Sequence, residues 1–368
     1  MTQAEINEQK LFEKLNRFLE IYGRKLNKMF STVDKDIARL FSRYAKDNAM
    51  TILDAYKYLT DNEREEFLED LNFYLEKIQD EEYLKEHYST LTALGIRARI
   101  RRLDYIKADI LMNVDTFFKE LSEQSKKLLG EVGSEAFIQK VEEIAKEMPK
   151  SVENTVELIV NNTKKTPLEE AIEVGGETHK VKIENPQLPS PESGGATIKV
   201  DGKKIDLSGD NLSNWGTTNP DLMDEVLEFP WSGSNYSEKI WGECENFEKV
   251  LKDKMVHGFV EGKPYDQIVT EMEKELGIER WKIERLVRTE GAFISNQAQL
   301  SAYYKSGIEK YQYLARIDQR TSDVCKELNG KVFEVQKAQA GENFPPMHPY
   351  CRSVTKAYFG DKSNETEE

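Results

Sequence analysis

Residues 341–353 read GENFPPMHPYCRS, and this stretch decides how the chain is interpreted. It places His348 and Cys351 three positions apart on a segment that prolines stiffen. A stiff segment loses less conformational entropy when it is ordered, and two side chains so close in sequence can reach one ion. A turn alone requires neither residue type. The pair therefore indicates a metal site or a motif that is inherited as a unit.

A third soft ligand, Cys325, lies upstream with 22 residues between it and His348. The resulting pattern is one ligand short of a closed structural zinc site, which uses four Cys or His side chains. Asp318 is the candidate for the fourth ligand, and His257 is the next choice. Alternatively, a water molecule takes the fourth position, as in catalytic zinc sites. The sequence thus predicts a structural zinc ion as the cofactor, although Asp318 is equally typical of a loop carboxylate that binds backbone N–H groups.

An enzymatic alternative uses the same residues. With Cys325, His348 and Cys351 as zinc ligands, Glu290 or Asp318 would serve as the base of a zinc-dependent hydrolase or nuclease. A Cys–His catalytic dyad is disfavoured, because two residues on a short proline-rich loop rarely meet with good geometry. The chain contains no G-x-S-x-G, Walker A, G-x-G-x-x-G or H-E-x-x-H pattern. We therefore predict a protein that is not an enzyme.

The composition limits the classes of protein and of partner. With 368 residues, 38% of them hydrophobic, the chain is long enough for two or three domains with a filled core. Its formal net charge of -15 argues against a surface that binds nucleic acid as a whole, although local basic patches remain. The N-terminus is polar, no apolar run approaches the length of about 20 residues that spans a membrane, and three cysteines make no disulfide framework. These features predict a soluble protein made in a reducing cytoplasm, without a membrane partner.

Residues 1–150 are predicted to form an elongated helical module. Apolar residues recur at helical spacing, and Thr60 with Glu63 forms a capping box at the start of one helix. The apolar stripes consist of Ile37, Leu40, Phe41 and Tyr44 in one helix, and of Phe67, Leu71, Leu75 and Ile78 in another. Such a module is more typical of a docking surface than of a catalytic site.

A basic cluster lies within this module, in the segment GIRARIRRLDY. Its members are Arg97, Arg99, Arg101 and Arg102. The simpler interpretation is a solvated helix face that nearby acidic residues neutralise. The functional interpretation is contact with an acidic partner or with a nucleic-acid backbone.

Residues 151–230 are interpreted as an insertion or linker that contains a β-hairpin. The segment 185–195 is rich in proline, serine and glycine, which is typical of a linker. Within 196–207, apolar and polar residues alternate on either side of Asp201 and Gly202, and this dipeptide favours a two-residue type I′ turn.

Residues 231–358 are predicted to form a compact α+β domain, and residues 359–368 an acidic tail. Helices are expected in three segments, one capped by Ser237, one from Pro264 to Gly277 and one from Glu279 to Ser306 with Gly307 closing it. Cys244 belongs to a buried apolar stripe of the first of these helices. The fold class that follows for the whole chain is α+β and predominantly helical.

Two strands and a short helix complete this domain. The first strand lies in KYQYLARID and is expected to end at Asp318, and the second lies in GKVFEV. Thr321 or Ser322 can cap the short helix on which Cys325 lies. Asp318 and Cys325 are therefore expected near each other at one end of the sheet.

Four segments of this domain occur in a specific order. They are PWSGSNYSEKIW (230–241), LVRTEGAFISNQAQ (286–299), YLARIDQRTSDVCKELNGKVF (313–333) and PPMHPYCRS (345–353). Together they resemble the Mu F-like head morphogenesis domain of minor head proteins in tailed bacteriophages. Each segment alone would be a weak signal, whereas the combination is specific. The resemblance covers residues 231–358 and leaves the insertion uncovered.

The resemblance implies a role in building the phage head rather than catalysis. A protein of this kind is made during head assembly in the host cytoplasm, is incorporated in few copies, and lies inside the procapsid near the portal vertex. Its implied partners are the portal protein, other head proteins, the scaffold protein during assembly, and the packaged DNA. The motif residues that carry over to this chain are Arg288, Glu290, Asp318, Arg320, Thr321, Cys325, His348, Cys351 and Arg352.

Overall fold

The computed structural model describes residues 3–44, 49–147, 229–231 and 233–360, together with the backbone of five short strands between 157 and 206. Most of these residues are helical, and a small antiparallel sheet lies near the C-terminus. The predicted α+β, predominantly helical fold class is therefore confirmed. The linker segment 185–195 and most of the acidic tail lie outside the described residues.

The helices of the first 150 residues agree with the predicted periodicity. They are α1 (Gln3–Tyr44), α2 (Ile52–Ala55), α3 (Asp61–Ile78), α4 (Lys85–Gly95) and α5 (Arg102–Glu147). The capping box of α3 is confirmed, because Thr60 Oγ1 accepts a hydrogen bond from the backbone N–H of Glu63 and the Glu63 carboxylate accepts one from the N–H of Thr60. In the buried stripe of this helix Tyr74 takes the place predicted for Leu75.

The later helices are α6 (Tyr236–Glu261), α7 (Tyr265–Lys305) and α8 (Asp323–Leu328). The prediction that Gly277 ends a helix is wrong, since α7 continues through it. A glycine inside a helix costs about 1 kcal/mol relative to alanine, which the burial of Met272 and Ile283 on either side offsets. Helix α7 ends at Lys305, one residue before the predicted Ser306, and Gly307, which was predicted to close it, has a φ of 66°.

Five strands lie between residues 157 and 206. They are β1 (Glu157–Leu158), β2 (Leu168–Val174), β3 (Glu177–Ile183), β4 (Thr197–Val200) and β5 (Lys203–Asp206). Strands β4 and β5 pair antiparallel with Val200 opposite Lys203, which confirms the predicted hairpin. Asp201 and Gly202 themselves lie outside the described residues.

The C-terminal sheet has β6 (Lys310–Leu314) between β7 (Val332–Glu334) and β8 (Val354–Ala357), and all pairings are antiparallel. The strand predicted to reach Asp318 ends at Leu314, so Asp318 lies in the loop that follows. Strand β8 was not predicted from the sequence. It supplies the edge of the sheet beside β6, where Thr355 pairs with Tyr313.

The chain divides into two compact units, each of which combines separate segments. Unit 1 comprises Met1–Arg17, Ser125–Tyr236 and Arg285–Glu368, and unit 2 comprises Phe18–Gln124 and Ser237–Glu284. Helices α1, α5 and α7 each contribute residues to both units. The division into consecutive modules of 1–150, 151–230 and 231–358 stays a prediction about the sequence. In the part of the chain that the structure describes, no helix has the length and apolarity needed to cross a bilayer.

The core of unit 1 packs helices against the sheet. The Tyr303 ring of α7 stacks nearly parallel to the Tyr311 ring of β6, with centroids 6.2 Å apart, and its hydroxyl donates to Thr355 Oγ1 at 3.0 Å. From α5, the buried Lys140 donates to the Thr355 carbonyl oxygen at 2.7 Å. These contacts hold the sheet, and the segments that connect its strands carry Asp318, Cys325, His348 and Cys351.

The core of unit 2 is formed by the faces of its helices. The Phe41 ring of α1 contacts the Phe259 ring of α6 and the Tyr265 ring of α7, with centroids 5.8 and 5.5 Å apart. Gly258 of α6 allows close approach to α7, because a Cβ at this position would lie 2.5 Å from side-chain carbons of Ile268. Helix α6 continues beyond Gly258 to Glu261, and His257 lies four residues before this end.

Candidate functional site

Helix α8 places Cys325 over the central strand of the C-terminal sheet. Ser322 is the N-cap of this helix, and its Oγ accepts a hydrogen bond from the Cys325 N–H at 3.3 Å. After the helix, Gly330 has a φ of 81° and donates its N–H to the Tyr313 carbonyl oxygen at 2.8 Å. This positive φ favours glycine. The turn folds the helix back onto β6, where the Tyr313 hydroxyl donates to Cys325 Sγ at 3.4 Å.

The stretch that contains His348 and Cys351 forms a tight turn before β8. The Cys351 N–H donates to the His348 carbonyl oxygen at 3.1 Å. Between them Tyr350 has a φ of 60°, a left-handed conformation that is uncommon for a residue with a side chain. Such conformations persist where the surrounding contacts determine them. The turn brings Cys351 into a small apolar cluster with Tyr313 and Cys325.

The three residues predicted to converge do so. The Sγ atoms of Cys325 and Cys351 are 3.9 Å apart, and Cys325 Sγ lies 3.4 Å from His348 Nε2. All three ligand atoms lie within 4.8 Å of one another. Both cysteines are buried, at 3% and 2% exposure, and neither is in a disulfide. We call these three residues the Cys–His trio.

A backbone hydrogen bond fixes the orientation of the His348 ring. Nδ1 lies 2.8 Å from the Pro349 carbonyl oxygen, which can only accept, so Nδ1 carries the proton. In the neutral ring the lone pair is then on Nε2, which faces Cys325 Sγ and lies 2.9 Å from Ser322 Oγ. A histidine whose other nitrogen donates to a backbone carbonyl is the arrangement found at many metal ligands.

The two thiols differ in acidity because they share a hydrogen bond. The pKa of Cys325 is lowered, first by the hydrogen bond that the Cys351 thiol donates to it and also by hydrogen bonds from Ser322, Ser353 and Tyr313. The pKa of Cys351 is raised, because it is the donor in this pair and because it is buried. Cys325 is therefore the thiol that ionises first and the better ligand or nucleophile.

Asp318 is bound to Arg352 rather than placed in the trio. The Arg352 guanidinium donates to both Asp318 oxygens, at 2.7 Å each, and the backbone N–H of Arg320 donates to Oδ1 at 2.8 Å. Thr321 Oγ1 accepts from the Asp318 N–H at 2.8 Å. These hydrogen bonds, above all those from Arg352, hold the pKa of Asp318 well below its usual range. Asp318 thus behaves as the loop carboxylate of the simpler interpretation.

The remaining candidates lie outside the trio. Glu290 is buried and accepts a hydrogen bond from Trp231 Nε1 at 3.0 Å. The Arg288 guanidinium lies 6.0 Å from the centroid of the Phe12 ring. His257 lies in α6 and belongs to neither group of side chains that could hold a metal ion in the described part of the chain.

The second such group, in unit 2, was missed by the sequence analysis. His87 Nδ1 lies 3.0 Å from Asp115 Oδ2 and 3.7 Å from Glu248 Oε1. The Tyr74 hydroxyl donates to Asp115, and Lys252 donates to Glu248 at 3.2 Å. Burial raises the pKa of Glu248 to about 10. Both carboxyl groups thus accept hydrogen bonds, which is typical of a buried hydrogen-bonded network. The helical spacing of α4, α5 and α6 does not reveal which polar side chains meet, and no signal in the sequence could have found the group.

The four arginines of the basic cluster, in unit 2, have different environments in the structure. Hydrogen bonds from Leu59 N–H to the Ile100 carbonyl and from Arg102 N–H to the Lys57 carbonyl, 2.9 Å each, hold two segments side by side. Arg102 is buried, at 8% exposure, which contradicts its assignment to a contact surface. Its backbone hydrogen bonds place it at the start of α5, where its side chain turns inward. Arg97 is 3.7 Å from Asp104 in an ion pair.

The other two arginines lie over exposed tyrosines. The Arg99 guanidinium is 5.5 Å from the Tyr58 ring centroid, and that of Arg101 is 5.1 Å from the Tyr56 ring centroid. Both tyrosines are exposed. Among the residues that the structure describes, Arg99 and Arg101 have no acidic partner within ion-pair distance. We call these four residues the arginine–tyrosine surface.

Residues 249–356 match the family model described as phage Mu protein F like protein. The chain carries a phage Mu F-like domain. The matched residues include the Cys–His trio, the Asp318–Arg352 pair, Arg288 and Glu290. No curated protein and no solved structure was found to match the chain. The Mu F-like domain supports a phage head-related protein and, with it, a place in the virion.

Proposed function

We propose that this chain is a minor head protein that acts in phage head morphogenesis, inside the procapsid near the portal vertex. The observation that carries the proposal is the Mu F-like match over 249–356. The motif residues between Asp318 and Arg352 meet in one part of the domain. Asp318 of the loop after β6 pairs with Arg352, and Cys325 of α8 meets Cys351, next to that arginine. Motif residues that these contacts hold together support a structural role for the domain.

The proposed partners are the portal protein, other head proteins and, during assembly, the scaffold protein. Large apolar side chains that remain exposed on the helical part of the chain support protein contacts. Leu53 and Ile96 are 75% and 81% exposed, and they lie three positions before Tyr56 and Arg99 in the sequence. Arginine and tyrosine are typical of the residues that dominate protein interfaces.

Packaged DNA is the further proposed partner, through the arginine–tyrosine surface. Arg99 and Arg101 offer two guanidinium groups to phosphates, and Tyr56 and Tyr58 offer ring faces beside them. The formal net charge of -15 limits such contact to a local surface. Contact with DNA is therefore proposed for this surface alone.

The proposed role is not enzymatic. The two thiols of the trio are buried, and His348 is half-buried with its Nδ1 bound to the backbone. Asp318, a candidate base, has both carboxylate oxygens bound by Arg352. These contacts support a structural use of the motif residues.

Co-expression tests this function. The tagged full chain is produced with the portal and scaffold proteins encoded beside it, and the affinity-purified material is separated by size. We expect the chain to elute with portal protein, and mass spectrometry of purified procapsids to find it in few copies. The tagged chain without its neighbours is the control. Absence from particles and from portal fractions, together with metal-dependent cleavage of DNA or another substrate, would replace this proposal with the zinc-dependent hydrolase or nuclease.

A further inference from the structure

Two of the three distances within the Cys–His trio match those between ligands on one zinc ion. Two thiolate sulfurs that each lie about 2.3 Å from a tetrahedral zinc are about 3.8 Å apart. The sulfurs of Cys325 and Cys351 are 3.9 Å apart. By the same construction, a zinc-bound sulfur and a zinc-bound imidazole nitrogen are about 3.6 Å apart. Cys325 Sγ and His348 Nε2 are 3.4 Å apart, and the third pair of ligand atoms lies within 4.8 Å.

The chemistry of the donors selects among metals. Two sulfurs and one imidazole nitrogen suit zinc, whereas magnesium and calcium prefer oxygen ligands. The hydrogen bond from His348 Nδ1 to the Pro349 carbonyl leaves the lone pair of the neutral ring on Nε2, which lies 3.4 Å from Cys325 Sγ. That contact is the kind of outer hydrogen bond that orients a metal-binding histidine.

We propose that Cys325 Sγ, His348 Nε2 and Cys351 Sγ bind one zinc ion, with a solvent molecule in the fourth position. Asp318 is not the fourth ligand, because Arg352 binds both of its carboxylate oxygens. The ion would join α8 to the turn before β8, two segments of the Mu F-like domain that are separated by more than twenty residues of sequence. Its role is to hold these segments together. The inference does not depend on the role in head assembly.

Metal analysis of the full chain tests the inference. The protein is expressed with zinc in the medium and purified with its thiols reduced, and zinc is measured by inductively coupled plasma mass spectrometry. We expect about one zinc per chain, because the trio provides ligands for one ion. Cys325→Ser and Cys351→Ser should each lose most of it. Reconstitution of the apoprotein with cobalt(II) should give the thiolate charge-transfer absorption, which both variants should weaken.

Three control variants separate ligands from neighbours. Asp318→Asn and Ser322→Ala should keep the zinc, because neither side chain is a ligand in this proposal. Cys244→Ser removes a buried thiol from the other unit and should also keep it. Circular dichroism shows which variants remain folded, and only folded variants are compared.

Several outcomes would overturn the inference. Reduced wild-type protein that contains only traces of zinc and gives no cobalt spectrum would leave the trio as a hydrogen-bonded network. A disulfide between Cys325 and Cys351, found by mass measurement before and after reduction in zinc-free protein, would assign the pair to redox chemistry. If folded Cys244→Ser lost as much zinc as Cys325→Ser, the zinc site would not be the Cys–His trio. Loss in folded Asp318→Asn would overturn the solvent-filled fourth position.

Discussion

Arg352 and Asp318 form a bidentate ion pair across 34 positions of sequence, with both hydrogen bonds 2.7 Å long. The pair connects the loop after β6 to the residue that follows Cys351. A fork-shaped guanidinium that matches a carboxylate in this way gives directional specificity. It holds two loops of the Mu F-like domain together beside the Cys–His trio.

Replacing Arg352 should loosen both loops. In Arg352→Gln we expect faster amide hydrogen exchange in residues 316–322 and 348–353, measured by mass spectrometry. The lowered pKa of Asp318 adds a pH dependence: the stabilisation is present above the ordinary Asp pKa of 3.8 and is lost as pH falls below it. The wild-type loops should therefore lose protection in acid, and those of the variant should change less. Arg320→Gln is the control, because Arg320 donates to Asp318 through its backbone. Equal exchange in both variants would contradict the role of the pair.

The buried ion pair of Lys140 and Glu143 should be sensitive to the loss of one partner. Both side chains are 3% exposed, and the Lys140 ammonium lies 2.9 Å from Glu143 Oε1. Lys140→Met leaves a buried carboxylate without its cation and should lower the free energy of unfolding by about 3–5 kcal/mol. The double variant Lys140→Met with Glu143→Leu should recover much of that loss. Urea unfolding measures both.

The exposed pair of Lys326 and Asp323 is the matched control for this experiment, since it lies in the same unit. Lys326→Met should change the free energy of unfolding by about 0–1 kcal/mol, as for other surface ion pairs. If Lys140→Met lowered the free energy of unfolding no more than Lys326→Met, the buried pair would contribute no more to the stability of unit 1 than an exposed pair does.

Glu248 should make the stability of unit 2 depend on pH. Burial raises its pKa from 4.5 to about 10, so the folded chain keeps a proton that the unfolded chain releases. The contribution is fully present below pH 4.5 and is lost as pH rises towards 10, with a slope of up to about 1.4 kcal/mol per pH unit. Glu248→Gln keeps the neutral hydrogen-bonding group and should flatten the dependence between pH 5 and 9.

The groups that face Glu248 set the conditions of this test. They are Tyr74, His87, Asp115, Cys244 and Lys252. The pKa of Asp115 is lowered, in part by its hydrogen bonds with His87 and Glu248, although burial acts against this. Its contribution is therefore lost only in acid, below the window of the experiment. Glu245→Gln, at an exposed position of the same helix, is the control for the charge change. Equal slopes for wild type and Glu248→Gln would contradict a buried proton at Glu248.

The arginine–tyrosine surface should account for any binding of DNA. Arg99→Glu with Arg101→Glu should weaken binding of duplex DNA, measured by fluorescence anisotropy over a series of salt concentrations. The logarithm of affinity falls linearly with the logarithm of salt concentration, and each phosphate contact contributes about 0.9 to the steepness of this line. The loss of two contacts should therefore make the slope less steep by about 1.8. Lys249→Glu with Lys274→Glu changes the charge equally at exposed positions of the same unit and should have less effect. The same loss in both double variants would indicate attraction by net charge alone.

Much of the local structure followed from the sequence. The capping box of Thr60 and Glu63, the N-cap at Ser322 and the hairpin around Asp201 and Gly202 depend on residues within a few positions of each other. Such interactions are encoded in short segments, because the partners meet as soon as the helix or turn forms. For the same reason the periodicity of the first 150 residues was enough to predict helices. The convergence of Cys325, His348 and Cys351 was also predicted, from residue type and spacing.

Long-range contacts decided the rest. Strand β8 is too short to show a pattern and forms because β6 offers an edge and because Tyr303 and Lys140 bind Thr355. The burial of Met272 and Ile283 lets α7 continue through Gly277, against local propensity. Charged side chains were the hardest to place, since each had several possible partners. Arg352 binds Asp318, whereas Arg102 is buried. Packing between distant segments selects one partner for each of these charges, and no spacing in the sequence encodes that choice.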